Sequence, residues 1–259
     1  LFVFLLLYLT PQVFSCELKM GYRTSERQPF INTMPSNEGL YKKIFSLAAN
    51  NIGCTLKIVR APKKRILYMI EQGKIDFYPG LGESPDRSQF MYFWPNGLTS
   101  KVVAISKPEI PDILRLEEME GRVLLLAHGA NDFNAQEKGV VLRYAFDISL
   151  DKAIKIINAD RADFYLFNHD SIKHYLATNP STKIKMHPCC FSPEPMTLGF
   201  SKSSLNAKPV KHSDIVNLPN KPSLGTIAYK FKQEMTRLID SKEIDKIKHN
   251  FYSRLASTE

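Results

Sequence analysis

The sequence predicts an α/β protein of two lobes, each a mainly parallel sheet flanked by helices. Three observations carry this expectation. Strand-like runs alternate with helical runs from residue 17 onward, and the cycle restarts near residue 112. Two echoing runs, "VVAISKPE" (102–109) and "TLGFSKSS" (197–204), frame the second cycle. Alternation of this kind builds βαβ units and parallel sheets. A length of 259 residues suits one large domain or two smaller ones.

The chain opens on "LFVFLLLYLTPQVF", almost wholly apolar, and the small Ser15 follows. This run falls short of the roughly 20 residues that span a bilayer. It matches the apolar core and cleavage region of a secretory signal peptide, expected over 1–15. The chain begins with neither Met nor a basic leader, so the first few residues of that segment are expected to be missing. The expected location is periplasmic.

"ELKMGY" (17–22) reads as a strand, and "NEGLYKKIFSLAANNIG" (37–53) as a helix with apolar residues at Leu40, Ile44, Leu47 and Ala48, ending at Gly53. "TLKIVR" is a strand, "KKRILYMIEQG" a helix and "IDFY" a strand. In open α/β sheets, ligands bind at the loops beyond the carboxyl ends of the strands. Three such loops follow these strands: "RTSERQPF", "APKK" and "PGLGESPDR".

In the second cycle, "GRVLLLA" (121–127) is a strand, "HGANDFNAQEKG" a loop entering a helix, and "VLRYAFDI" a further extended run. "SLDKAIKIINAD" is a helix, "ADFYLF" a strand and "HDSIKHYLATN" a helix. If the two framing runs are crossing strands, lobe one comprises 16–104 plus 199–259, and lobe two 105–198. Ile227, Phe231, Met235, Leu238 and Ile239 make a terminal amphipathic helix that can pack back on lobe one.

In an oxidising compartment the cysteines invite pairing. Cys16 and Cys54 each stand two residues ahead of a Leu-Lys pair. On neighbouring parallel strands they would lie side by side, at bonding distance. The alternative is that "VFSC" is a lipoprotein cleavage box with a lipid anchor on Cys16; the bulk of Phe14 favours the disulfide. Cys189 and Cys190 are adjacent, and their state is left open.

The net charge of +9 is spread along the chain without the clustered, aromatic-interleaved pattern of a nucleic-acid face, so nucleic acid is not expected as a partner. No spacing suggests a metal site or nucleophilic catalysis, and neither cofactor nor catalytic residue is assigned. The cluster "FMYFWP" (90–95), with Trp94, reads as core or hinge packing.

In order and spacing, "QPF" after the first strand, "GKID" before the third, "SPDR" after it, the two "SK" runs and the terminal "NFY" resemble one family. It is the bacterial extracellular solute-binding proteins of the polar amino-acid class, with the type II periplasmic-binding fold. The resemblance covers about residues 17–254. It implies two lobes joined by two crossing strands that close on a small ligand by hinge motion. The implied protein is a monomer that captures a carboxylate-bearing solute for an ABC-type transporter and its membrane permease.

On this resemblance, Arg87 is the carboxylate clamp, with Gly80 and Gly82 presenting backbone N–H groups ahead of it. A guanidinium suits that role because its planar fork matches a carboxylate. Phe30 and Arg27 belong to the ligand set from the first loop. Arg27 stands where the family has a stacking aromatic. Arg23, Lys63, Lys64 and Arg65 would add positive charge, which a low-dielectric cleft focuses towards anions. From lobe two, Gly129 and Asn131 match a turn at a helix start, where free amides receive anions. Asn168 stands where the family has the acid that holds an ammonium, and Asp170 follows as a substitute. Two alternatives remain: a dehydratase-like enzyme with Glu83, His169 or Asp170 as general acid, and a ligand-sensing module.

Overall fold

The computed structural model describes residues 16–256, except 129, 147 and 210–219. The signal segment expected over 1–15 and the site residue Gly129 therefore lie outside the described residues.

Two five-stranded mixed sheets form the two lobes. The first takes β1 (Cys16–Arg23), β2 (Cys54–Ala61), β3 (Phe77–Tyr78), β4 (Met91–Ser100) and β10 (Glu194–Ser201) in the order β2-β1-β3-β10-β4. The second takes β5 (Val102–Ser106), β6 (Val123–Ala127), β7 (Val141–Ala145), β8 (Phe164–Asn168) and β9 (Lys185–Cys190) in the order β7-β6-β8-β5-β9. In each sheet the βαβ strands run parallel; β10 pairs antiparallel with both β3 and β4, and β5 pairs antiparallel with both β8 and β9.

The helices of lobe one are α1 (Leu40–Asn51), α2 (Lys63–Glu71) and the single turn α3 (Pro85–Ser88). Lobe two carries α4 (Leu150–Asn158) and α5 (His169–Thr178), and the chain ends in α6 (Ile227–Asp240) and α7 (Glu243–Ala256). Among the described residues, no helix is long and apolar enough to cross a membrane.

The crossing points differ from those expected. Val102–Ile105 pair with β8 in the second sheet, and Glu194–Ser201 pair with β4 in the first. The chain therefore changes sheet at Lys101 and again between β9 and β10, so neither Ser-Lys run spans the lobes. The reason is pairing: Ser100 lies opposite Glu194, so each sheet closes its ladder up to the hinge and leaves two short connections side by side.

The core of lobe one is aromatic. Phe77 stacks on Phe200 at 6.1 Å, Phe200 on Trp94 at 5.6 Å, and Phe231 of α6 closes on Phe77 at 5.1 Å. Trp94 is therefore core, and α6 docks on lobe one through Phe231, Met235 and Leu238. Buried Asp76 ties three segments together: it accepts from Lys19 N at 2.6 Å, from Asn206 Nδ2 at 3.0 Å and from Ser204 Oγ. Cys16 and Cys54 are paired with Cα atoms 4.6 Å apart, in the register that also sets Leu18 opposite Leu56 and Lys19 opposite Lys57. Cys189 and Cys190 pair with one another.

Candidate functional site

A cavity of about 530 Å³ lies between the lobes. All three loops that follow the parallel strands of lobe one reach it. The first contributes Arg23 and Arg27, the second Lys63, and the third Gly80, Leu81, Gly82 and Arg87. Lobe two lines it with Leu126, Ala127, Asn131, Phe133 and Tyr165 to Asn168, and the hinge with Ser100 and Glu194 to Thr197.

The third loop is held by its neighbours in the sheet. Leu81 N donates to Thr197 O at 2.9 Å, Thr197 Oγ1 to Leu81 O at 2.6 Å, and Asn96 Nδ2 to Pro79 O at 2.7 Å. Ser84 precedes α3, and half-buried Arg87 folds back so that its guanidinium donates to Gly82 O at 2.7 Å. Burial lowers the pKa of Arg87 from its ordinary value. That marks a charge held away from bulk water, where a carboxylate partner gains most.

The first loop owes its shape to Arg60, a residue that sequence reasoning passed over. Its guanidinium gathers the carbonyls of Asn32 at 2.9 Å and Ser36 at 2.5 Å together with Asn37 Oδ1 at 2.9 Å, while lying over the Tyr22 ring. A tight turn from Arg27 to Ile31 then sends two predicted site residues different ways. Arg27 lines the cavity, its guanidinium 5.4 Å from the Phe30 ring and 5.9 Å from Phe167 of lobe two. Phe30 is 1 % exposed and packs on Tyr41 in the core, so the assignment of Phe30 to the ligand set is corrected. Arg23 donates from Nε to Ser25 Oγ at 2.7 Å and from Nη2 to Ile148 O of lobe two at 2.6 Å.

Lobe two departs further from expectation. No α-helix starts after "HGAND"; there is only a 3₁₀ turn over Gln136–Lys138. Phe133 and Asn134 both adopt positive φ, which breaks a right-handed helix before it can propagate. Asn131 lines the cavity, but its Oδ1 accepts from Phe133 N at 2.9 Å within the turn. Asn168 also lines it, yet it caps α5: Oδ1 accepts from Ser171 N at 3.0 Å, and Nδ2 donates to Ser100 Oγ at 2.6 Å. With both ends of its amide engaged, Asn168 acts as a cap and a hinge tie.

Asp170 is not among the lining residues; in the first turn of α5 it faces His169 Nδ1 at 3.2 Å. Glu83, the other acid considered for catalysis, accepts from Ser88 Oγ at 2.9 Å and also stands outside the lining. Lys64 and Arg65 are exposed, outside it as well. The described lining residues thus carry four basic side chains, Arg23, Arg27, Lys63 and Arg87, against one acidic one, Glu194.

No protein-family model matches the chain, and no curated protein matches it in sequence. Solved structures do match its shape, and they define the fold: the chain has the two-lobed type II periplasmic-binding fold seen in substrate-binding proteins of amino-acid ABC transporters. One similar structure is an ancestral arginine-binding protein bound to arginine, with TM-score 0.71 and 18 % identity over 91 % of this chain and 98 % of that one. Another is the amino-acid ABC-transporter substrate-binding protein AbpA from Streptococcus pneumoniae bound to L-arginine, with TM-score 0.69 and 15 % identity over 92 % and 94 %. A third is a histidine kinase sensor domain with similarity to periplasmic binding proteins, with TM-score 0.70 and 13 % identity over 90 % and 95 %.

Proposed function

We propose that this chain is an extracytoplasmic, periplasmic solute-binding protein. It captures a small carboxylate-bearing solute between its lobes and delivers it to an ABC-type permease complex. The observation that carries the reading is the interlobe cavity in which Arg87, Gly80 and Gly82 come together with three further basic side chains. In this account the solute's carboxylate meets Arg87 and the loop amides of lobe one first. Lobe two then closes, the Arg23–Ile148 and Arg27–Phe167 contacts form across the cleft, and water is expelled. Cys16 pairing with Cys54 agrees with an oxidising compartment.

A second reading, ligand sensing, is favoured by the likeness to a sensor domain. Permease and ATPase genes beside this one support transport; a neighbouring kinase gene supports sensing. The binding step common to both is tested by a thermal-shift screen of amino acids and organic acids. A native-state ligand at a hundred times its Kd adds about 2.7 kcal/mol of stability. A screen in which no carboxylate raises the melting temperature refutes the reading.

A further inference from the structure

We propose that the cleft is a dianion site. One carboxylate of the solute is held by Arg87 and the Gly80–Gly82 loop, and a second anionic group by Lys63 and Arg27, with no place for an ammonium. This rests on the reading of the cleft as a carboxylate site and names the class of solute.

Lys63 is the first residue of α2 and faces the cavity at a helix N-terminus, the positive end of the helix dipole. The helix has no side-chain cap, and its first turn, Lys63-Lys64-Arg65, holds no acid. Helices ordinarily place carboxylates there, so the local sequence works against its own helix. Among the described residues Lys63 makes no ion pair, and burial together with Arg87, Arg23 and Arg27 drives its pKa well below the usual lysine range. Beside it, Arg27 Nε is buried with no hydrogen-bond partner. An anion arriving here would receive the helix amides, the lysine ammonium and a guanidinium donor at once.

The same residues argue against a cationic group. The amide oxygens of Asn168 and Asn131 are engaged by Ser171 N and Phe133 N. Asp170 is outside the lining, and Glu194, the one described lining carboxylate, is exposed at the hinge. An amino acid's ammonium would enter a cavity lined by four basic side chains, without an acid from lobe two to hold it.

The test is calorimetric titration at low salt with succinate, glutarate, butyrate, L-glutamate and L-arginine. It is run on the wild type, on Lys63→Met, and on Lys64→Met as a control for an exposed charge. We expect a dicarboxylate to bind at least tenfold tighter than butyrate or either amino acid. Lys63→Met should weaken it at least tenfold towards butyrate, and Lys64→Met should stay within twofold. The ligand-free Lys63→Met protein should melt no lower than wild type, since a repelled charge is gone; a lower melting temperature contradicts the account. An amino acid binding as tightly as the dicarboxylates, or an unchanged affinity in Lys63→Met, overturns the dianion site while leaving the carboxylate site standing. No binding by any carboxylate overturns both.

Discussion

Replacing Gly80 by alanine should destabilise the protein, whereas the same change at Gly82 should not. The two glycines flank Leu81 in one loop, yet their surroundings differ. A methyl on Gly80 would stand 2.0 Å from Tyr41 Oη, 2.8 Å from Tyr41 Cζ and 3.1 Å from Met196 Cε, while nothing lies within 4 Å of one on Gly82. Tyr41 has little room to yield: it is fully buried, with its ring 5.1 Å from Phe30 and 6.0 Å from Phe45. Forcing a methyl into such packing costs about 2 kcal/mol, which for a chain of this size lowers the melting temperature by roughly 4–8 °C. Neither glycine adopts positive φ. Gly82→Ala therefore restricts mainly the unfolded chain and should be neutral, or stabilising by up to about 1 kcal/mol. Urea unfolding of the ligand-free proteins, followed by circular dichroism, measures both. Equal midpoints for the two variants would refute the claim that the binding loop is seated directly on the aromatic core.

The Cys16–Cys54 bond closes a loop with a sequence separation of 38, so Cys16→Ser with Cys54→Ser should cost about 4 kcal/mol of unfolding free energy in denaturant titration; a loss under 1 kcal/mol would contradict the pairing. Asp76→Ala strands Lys19 N and the Ser204 and Asn206 donors in a buried site, and about 3 kcal/mol should be lost in the same assay. In lobe two, His187 Nδ1 accepts from Ile113 N at 3.2 Å, and Nε2 faces Ser106 Oγ at 2.7 Å, whose hydroxyl donates to Lys107 O. That chain requires a neutral ring, and burial lowers the His187 pKa below its ordinary value. The unfolded state thus binds the proton more readily. This contribution is complete above about pH 6.5 and is lost as the pH falls towards the lower folded pKa. Stability curves between pH 7.5 and pH 5 should show a fall that His187→Gln flattens.

Much of this architecture was legible because burial imposes periods on the chain. Leu40, Ile44 and Ala48 mark the inner face of α1, and Phe231, Met235 and Leu238 that of α6. The aligned Leu-Lys pairs foretold the β1–β2 register and with it the cysteine pairing. Arg87, Gly80 and Gly82 stood out as a turn-rich loop after a strand. What escaped depends partly on contacts far apart in sequence and partly on local turns and caps. The return of β10 between β3 and β4 leaves no local trace, so the crossing points were misplaced. Phe30 was drawn into the ligand set by its neighbours, whereas a single tight turn sends it into the core. Asn168 was weighed as a ligand contact because it stands where the family has an acid, whereas its cap to Ser171, three residues on, and its bond to distant Ser100 at the hinge engage its amide. The helix expected after "HGAND" failed at two positive-φ residues, Phe133 and Asn134, which carry no glycine to announce the break.

The most direct measurement is the affinity of the tightest-binding carboxylate for wild type, Arg87→Lys and Arg87→Ala by titration calorimetry, with melting temperature as a folding control. Removing one partner of a buried, hydrogen-bonded charge pair costs about 2–5 kcal/mol. Arg87→Ala should therefore lose on the order of a hundredfold in affinity, by the relation of about 1.4 kcal/mol per factor of ten. Arg87→Lys, which keeps the charge without the planar fork, should fall between the two. A folded Arg87→Ala protein that binds the carboxylate as tightly as wild type would contradict the account.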